Sequence, residues 1–396
     1  PRTPQTIRSV VSFVILEVGL DHGKGEMRMK VQKCCFVALF MLALLCLAAP
    51  AQATTWYVTR DGAGNEDGSS WANAGKNLKD MMEAAEPGDE IWVAVGTYSP
   101  GAGTDDTFLL KAGVKVYGGF AGTEDDLNQR NWAVNVTILS GGGVNYHVVT
   151  GAPGAVPDNT RLDGFTITDG NANGSDPDKP TERSGGGMYN DESSPTVANC
   201  VFFENKAQND GGGMYNDESS PTVADCAFFG NTAGDEGGGI FNWESSPTVA
   251  NCFFSGNEAQ VDGGGIYSYE SSPTVVNCAF AGNTAGDEGG GIFNWESSTT
   301  VANCVFSGNR AQVDGGGMYS YESSPTVESC TFSGNTAGDE GGGIFNWESG
   351  TTMANCVFSG NGAQVDGGGM YNYESSPTVV NCTFSGNTAD AGGGIY

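Results

Sequence analysis

The sequence predicts an all-β parallel solenoid with one coil per repeat, and three observations lead there. A block of 26 residues recurs from Gly185 onward, placing Cys200, Cys226, Cys252, Cys278, Cys304, Cys330, Cys356 and Cys382 at one fixed spacing. A unit that short cannot bury its own core, so neighbouring units must stack. Every block is punctuated by Gly, Asn, Ser and Thr and lacks a Leu-x-x-Leu-x-Leu pattern, which disfavours helix and leucine-rich repeats and leaves short strands joined by turns.

Three regions are expected: 1–53, 54–160 and 161–396. In the first, basic Arg28, Lys30 and Lys33, an apolar run over 34–47 and the small-x-small triplet Ala51-Gln52-Ala53 predict a secretory signal peptide cut after Ala53. The run is shorter than the ~18–20 residues that span a bilayer, and no other apolar stretch is a candidate transmembrane segment. In the second, Trp56-Tyr57-Val58 and residues 91–95 read as strands, with 108–120 and 136–139 continuing as irregular first coils. Between them Leu78, Met81, Met82 and Ala85 fall at i, i+3, i+4, i+7, which predicts a short amphipathic helix over 77–85 that caps the apolar end of the solenoid.

In the third region, residues 162–167 align with 197–202, so an earlier coil stands 35 residues ahead and a nine-residue polar insertion within 173–183 is needed. That alignment puts Phe165 where later coils have Cys. The array also alternates, since Gly-Gly-Gly-Ile-Phe-Asn-Trp-Glu-Ser at Gly237, Gly289 and Gly341 takes turns with Tyr-containing versions at Gly263, Gly315 and Gly367. The duplicated unit is thus 52 residues, two coils. The last Gly triplet comes 25 residues after Gly367, one residue short, and the array is expected to be truncated at Tyr396.

Stacked coils lie ~4.8 Å apart, so each alignment column becomes a ladder. Val197, Cys200 and Phe202 with their equivalents are interior candidates. Asn205, Asn231, Asn257, Asn283, Asn309, Asn335, Asn361 and Asn387 fit a ladder of side-chain amides. The Cys column lies within disulfide reach of itself, but an in-register column suits packed thiols better than the ~90° torsion of a bridge. Two columns are acidic. One comprises Glu192, Glu218, Glu244, Glu270, Glu296, Glu322, Glu348 and Glu374. The other comprises Asp210, Glu236, Asp262, Glu288, Asp314, Glu340 and Asp366. They read as a solvated face or as a row of weak Ca²⁺ sites, with Glu244, Glu270, Glu296, Glu322 and Glu348 the candidate ligands. Beside the Glu column run Trp243, Tyr269, Trp295, Tyr321, Trp347 and Tyr373. Facing outward, these form a flat stripe for sugar rings or a partner protein; facing one another, they stack for stability.

The paired Gly-Gly-Gly-Ile (from Gly237) and Phe-Ser-Gly-Asn (from Phe254) signals resemble the repeats of the polymorphic outer membrane proteins. Upstream, Trp56-Tyr57-Val58, Gly68-Ser69-Ser70-Trp71-Ala72, Gly88-Asp89-Glu90-Ile91-Trp92-Val93, Gly96-Thr97-Tyr98 and Tyr117-Gly118-Gly119-Phe120 resemble the N-terminal region of secreted bacterial β-helix proteins. The resemblance implies a right-handed parallel β-helix displayed at the cell surface in association with an outer membrane.

The chain holds 17 Lys/Arg and 47 Asp/Glu; with six and three of these in the first 53 residues, 11 basic and 44 acidic residues remain, a formal −33. Beyond Lys206 the one basic residue is Arg310, which excludes a nucleic-acid footprint. No singular catalytic cluster is visible, and His147 reads as structural. The expected role is adhesion or envelope structure at the cell surface, with a polysaccharide or a host or neighbour cell-surface protein as partner. A glycan-binding module, or a polysaccharide lyase or hydrolase on the same scaffold, is the alternative.

Overall fold

The computed structural model describes residues 15–20, 27–32, 53–152, 159–176 and 179–396. The chain divides into two compact units, Pro1–Gln52 and Ala53–Tyr396. In the first, strands Ile15–Leu20 and Met27–Gln32 pair antiparallel. Of the expected signal segment from residue 34 to the cleavage site, all but Ala53 lies outside the described residues. Among the described residues no helix is long and apolar enough to cross a membrane.

The second unit is a parallel β-solenoid in which every strand pairs with its equivalent one coil later. One coil shows the plan: Ile266–Tyr269, Thr274–Val276, Ala279–Ala281 and Thr284–Ala285 belong to sheets of ten, twelve, eleven and seven strands. Each pairs in register with residues 26 further on, as in Val275↔Val301 and Phe280↔Phe306. Each of the four corners turns on one residue of positive φ: Glu270 (47°), Asn277 (53°), Gly282 (63°) and Gly289 (66°). Gly290 and Gly291 answer to a different demand, the close approach of successive coils. A β-carbon on Gly290 would lie 2.5 Å from the Arg310 carbonyl oxygen, and one on Gly291 would run into the carbonyl of Gly317. Alanine therefore does not fit the third position.

Pleating puts alternate residues inside. Val249, Cys252, Phe254, Ile240 and their equivalents between Met188 and Met370 are at most 3% exposed and form one continuous core along the axis. The interior phenylalanines from Phe202 to Phe384 stack with centroids 4.5–4.8 Å apart and planes within 6°. The asparagine ladder forms as expected: Asn257 Nδ2 donates to Asn283 Oδ1 (2.9 Å) and to the Phe228 carbonyl (3.0 Å). Its own Oδ1 accepts from the Asn231 side chain (2.9 Å) and backbone N–H (3.1 Å). The eight array cysteines are free thiols. Their sulfurs accept from the preceding coil, as in Cys252 N–H to Cys278 Sγ (3.4 Å), and donate to carbonyl oxygens.

The ends and irregularities follow the sequence closely. Helix Leu78–Ala84 is N-capped by Asn77, whose side chain accepts from the N–H groups of Lys79 and Asp80, and it buries Leu78 and Met82 in the main core. The earlier coil pairs Leu162↔Val197 and Ile167↔Phe202, an offset of 35. The insertion carries a 3-10 turn at Pro180–Arg183, tied by Gly174 N–H to the Glu182 carbonyl (3.0 Å). At the last coil the bridges shift from Gly362↔Thr388 to Asp366↔Ala391, so the missing residue falls in the turn between them.

Candidate functional site

On strand Ile240–Trp243 and its equivalents the pleat sends Ile240 and Asn242 inward and Phe241 and Trp243 outward, so the outer face of this sheet carries two aromatic rows. The inner row, Tyr189, Tyr215, Phe241, Tyr267, Phe293, Tyr319, Phe345 and Tyr371, was not among the sequence candidates. Its signal was present: an aromatic follows every Gly-Gly-Gly-(Met/Ile), two positions before the stripe and therefore on the same face. From Tyr215 to Phe345 its rings stack at 4.7–5.1 Å with planes within 7°, and Phe241, Tyr267, Phe293, Tyr319 and Phe345 are at most 4% exposed.

The outer row is the expected stripe, in register as Trp243↔Tyr269 and Tyr269↔Trp295. It is not flat. From Tyr269 to Tyr373 neighbouring rings meet edge to face, 5.4–5.6 Å apart and 74–83° between planes; only Trp243 and Tyr269 stack, at 4.6 Å and 30°. Ring quadrupoles favour that alternation, so the rings pack on one another and face solvent at once. Trp243 is 41% exposed and Trp295 38%, while Tyr269 and Tyr321 between and beyond them are half-buried. The first two coils have Asp191 and Asp217 in register instead.

The two acidic columns separate. Glu244, Glu270, Glu296, Glu322 and Glu348 are exposed beside the outer row, each at a corner with φ between 46° and 49°. That left-handed conformation costs a non-glycine residue on the order of 1–3 kcal/mol. The other three corners mostly use Asn or Gly. In the tyrosine coils the Glu270 and Glu322 carboxylates bond to the Tyr269 and Tyr321 hydroxyls, which raises the tyrosine pKa values. Among the described residues no three metal-ligating side chains converge, so each coil presents one corner glutamate to solvent.

The second column, Asp210 to Asp366, lies half-buried against the inner aromatic row. Burial, then the charges of neighbouring carboxylates, pushes Glu236 and Glu288 up to about 8; burial pushes Asp262 and Asp314 up to about 7. Backbone N–H groups bind one coil's Asp to the next coil's Glu, as Glu288 N–H to Asp262 Oδ1 (2.9 Å) and Glu340 N–H to Asp314 Oδ1 (2.8 Å). Asp coils carry Tyr in the inner row and Glu coils carry Phe, and Glu288 bonds to the Tyr319 hydroxyl of the next coil.

Two other groupings are structural. His147 donates from Nδ1–H to the Gly185 carbonyl (3.0 Å), its ring lies 5.0 Å from Tyr189, and burial lowers its pKa. A cleft of about 430 Å³ is lined by Lys115, Tyr117, Arg130, Arg161 and Asp163, where the buried Asp163 carboxylate holds Arg130 at 2.7 Å and Arg161 at 2.6 Å.

A parallel solenoid of 26-residue coils with outward aromatic and acidic ladders defines a repeat scaffold, and its family is identifiable. The chain belongs to the right-handed β-helix family, whose description, Right handed beta helix region, matches residues 154–306 and 290–396. No curated protein matches it. Among solved structures it is similar to the pectate lyase Pel9A at 15% identity and a TM-score of 0.41, covering 84% of this chain and 79% of that one. It is similar to a rhamnogalacturonan lyase at 12% identity and a TM-score of 0.31, covering 83% and 87%. Likenesses this distant carry no inference about activity.

Proposed function

We propose that the protein is a secreted, surface-displayed scaffold that acts in adhesion or cell-envelope structure and docks through its outward aromatic ridge. One observation carries this reading. At the corner beside the ridge the array keeps glutamate in a left-handed conformation that Gly or Asn adopts at less cost, so the side chain is retained for what it offers to solvent. A long scaffold repeating one binding motif per coil suits weak contacts that add up along a surface. The signal-like segment and the resemblance to polymorphic outer membrane proteins support export and display.

The test is retention of the purified second unit on isolated cell envelopes and on whole cells. Replacing Trp243, Trp295 and Trp347 with Ala is expected to weaken retention strongly while β-sheet circular dichroism is kept. Undiminished retention would remove the ridge from the mechanism.

A further inference from the structure

Tryptophan occupies the outer row in every second coil: Trp243, Trp295 and Trp347 alternate with Tyr269, Tyr321 and Tyr373. At ~4.8 Å per coil, the tryptophans therefore recur about every 9.6 Å along the solenoid axis. In an extended β-1,4-linked polysaccharide each sugar is turned over relative to the last, so the same apolar ring face returns at every second sugar. That spacing is of the same size. An α-1,4-linked chain coils instead and cannot keep such a register along a straight ladder.

Charge narrows the class further. A glutamate stands beside each ring of the outer row, and from residue 207 to the end the one basic side chain is Arg310. Uronate or sulfated polymers would meet like charge along the whole ridge, whereas sugar hydroxyls donate to carboxylates, a strong class of hydrogen bond. Rings provide stacking surface and glutamates provide acceptors on the same edge of the sheet.

Resting on the reading of the ridge as the docking surface, we infer that its ligand is a neutral, extended β-1,4-linked polysaccharide lying parallel to the solenoid axis, one disaccharide for every two coils.

The experiment measures retention of the second unit on cellulose, chitin, an α-1,4-glucan and polygalacturonate, with two variants. The first, Trp295→Ala with Trp347→Ala, removes two rings and is expected to lower affinity for the β-1,4 polymers about tenfold or more. The second, Trp295→Tyr with Tyr321→Trp, keeps the ring composition but moves one tryptophan by a coil; it is expected to lose most of the β-1,4 affinity with unchanged circular dichroism. Equal retention on the α-glucan or the uronate, or a neutral effect of the swap, overturns the inference while leaving the ridge as a docking surface. Retention on envelopes that ignores both variants defeats the ridge reading itself. Retention on cellulose or chitin that only the first variant diminishes shows ring stacking without register, and refutes the disaccharide spacing.

Discussion

Raising the pH from about 5 to 8 is expected to destabilise the array, and Glu288→Gln is expected to blunt that loss. Glu236 and Glu288 move from an ordinary 4.5 to about 8, and Asp262 and Asp314 from 3.8 to about 7. Below the ordinary values both folded and unfolded chains are protonated and nothing is lost. Above them the unfolded chain ionises while the folded ladder keeps its protons, so unfolding releases protons and rising pH favours it until the folded groups ionise near 7 to 8. Each retained proton contributes a slope of ~1.36 kcal/mol per pH unit, so Glu288, shifted by about 3.5 units, sets a limit of about 5 kcal/mol for its own removal, which solvent at the ladder's outer edge reduces to roughly 2. Glutamine keeps a partner for the Tyr319 hydroxyl and removes the charge that Asp262 and Asp314 would otherwise face. Urea unfolding followed by circular dichroism at several pH values is the assay. The variant should match the parent near pH 5 and exceed it by about 2 kcal/mol near pH 8. A flat profile for the parent, or parallel profiles for the two proteins, would refute the reasoning.

Asn257→Ala should cost about 2–3 kcal/mol, because it strands the Phe228 carbonyl and the Asn231 N–H groups in the core; urea unfolding at fixed pH measures it. Gly264→Ala should disrupt the array far more, since its β-carbon would lie 2.7 Å from the Gly290 carbonyl oxygen and closer still to that of Thr284; loss of soluble, cooperatively unfolding protein is the readout. Thiol titration of the denatured second unit without reductant should find all eight array cysteines free, and a count near zero would mean bridges. Glu296→Gly should stabilise by roughly 0.5–1 kcal/mol net of glycine's unfolded-state entropy while lowering retention on the docking partner, and a stabilised variant with full retention would show the corner glutamate to be dispensable.

The fold was legible because repetition converts a one-dimensional pattern into a three-dimensional register. The spacing of Cys200 to Cys382 determines which residues stack, and the pairing Val275↔Val301 follows from it. The 35-residue offset to Leu162 and the cap helix were legible for the same reason, one from alignment and the other from periodicity. Columns say less about which side of a strand faces water. Phe241 and Trp243 both point out of the interior, yet one is 2% and the other 41% exposed: the first is enclosed in a parallel ring stack between Tyr215 and Tyr267, and the second stands at the strand's end. Nor does a column reveal backbone conformation: Glu244 and Glu236 look alike as acidic ladders, but one sits at a left-handed corner and the other against an aromatic stack.

The 52-residue double coil is written in that covered layer as well as in the outer row. Where the inner row has the larger Tyr, the carboxylate above it is the shorter Asp; where it has Phe, the longer Glu reaches over and, at Glu288, meets the hydroxyl of Tyr319 in the next coil. The longer acid thus accompanies the smaller ring and the shorter acid the larger ring in every coil from Asp210 to Asp366. The same strands carry the outer row, so Phe241 is tied to Trp243 and Tyr267 to Tyr269 by two residues of one strand. The two-coil period of the outer tryptophans therefore runs in step with that of the row beneath, and a ligand that reads it meets a spacing that a single-coil duplication could not have produced.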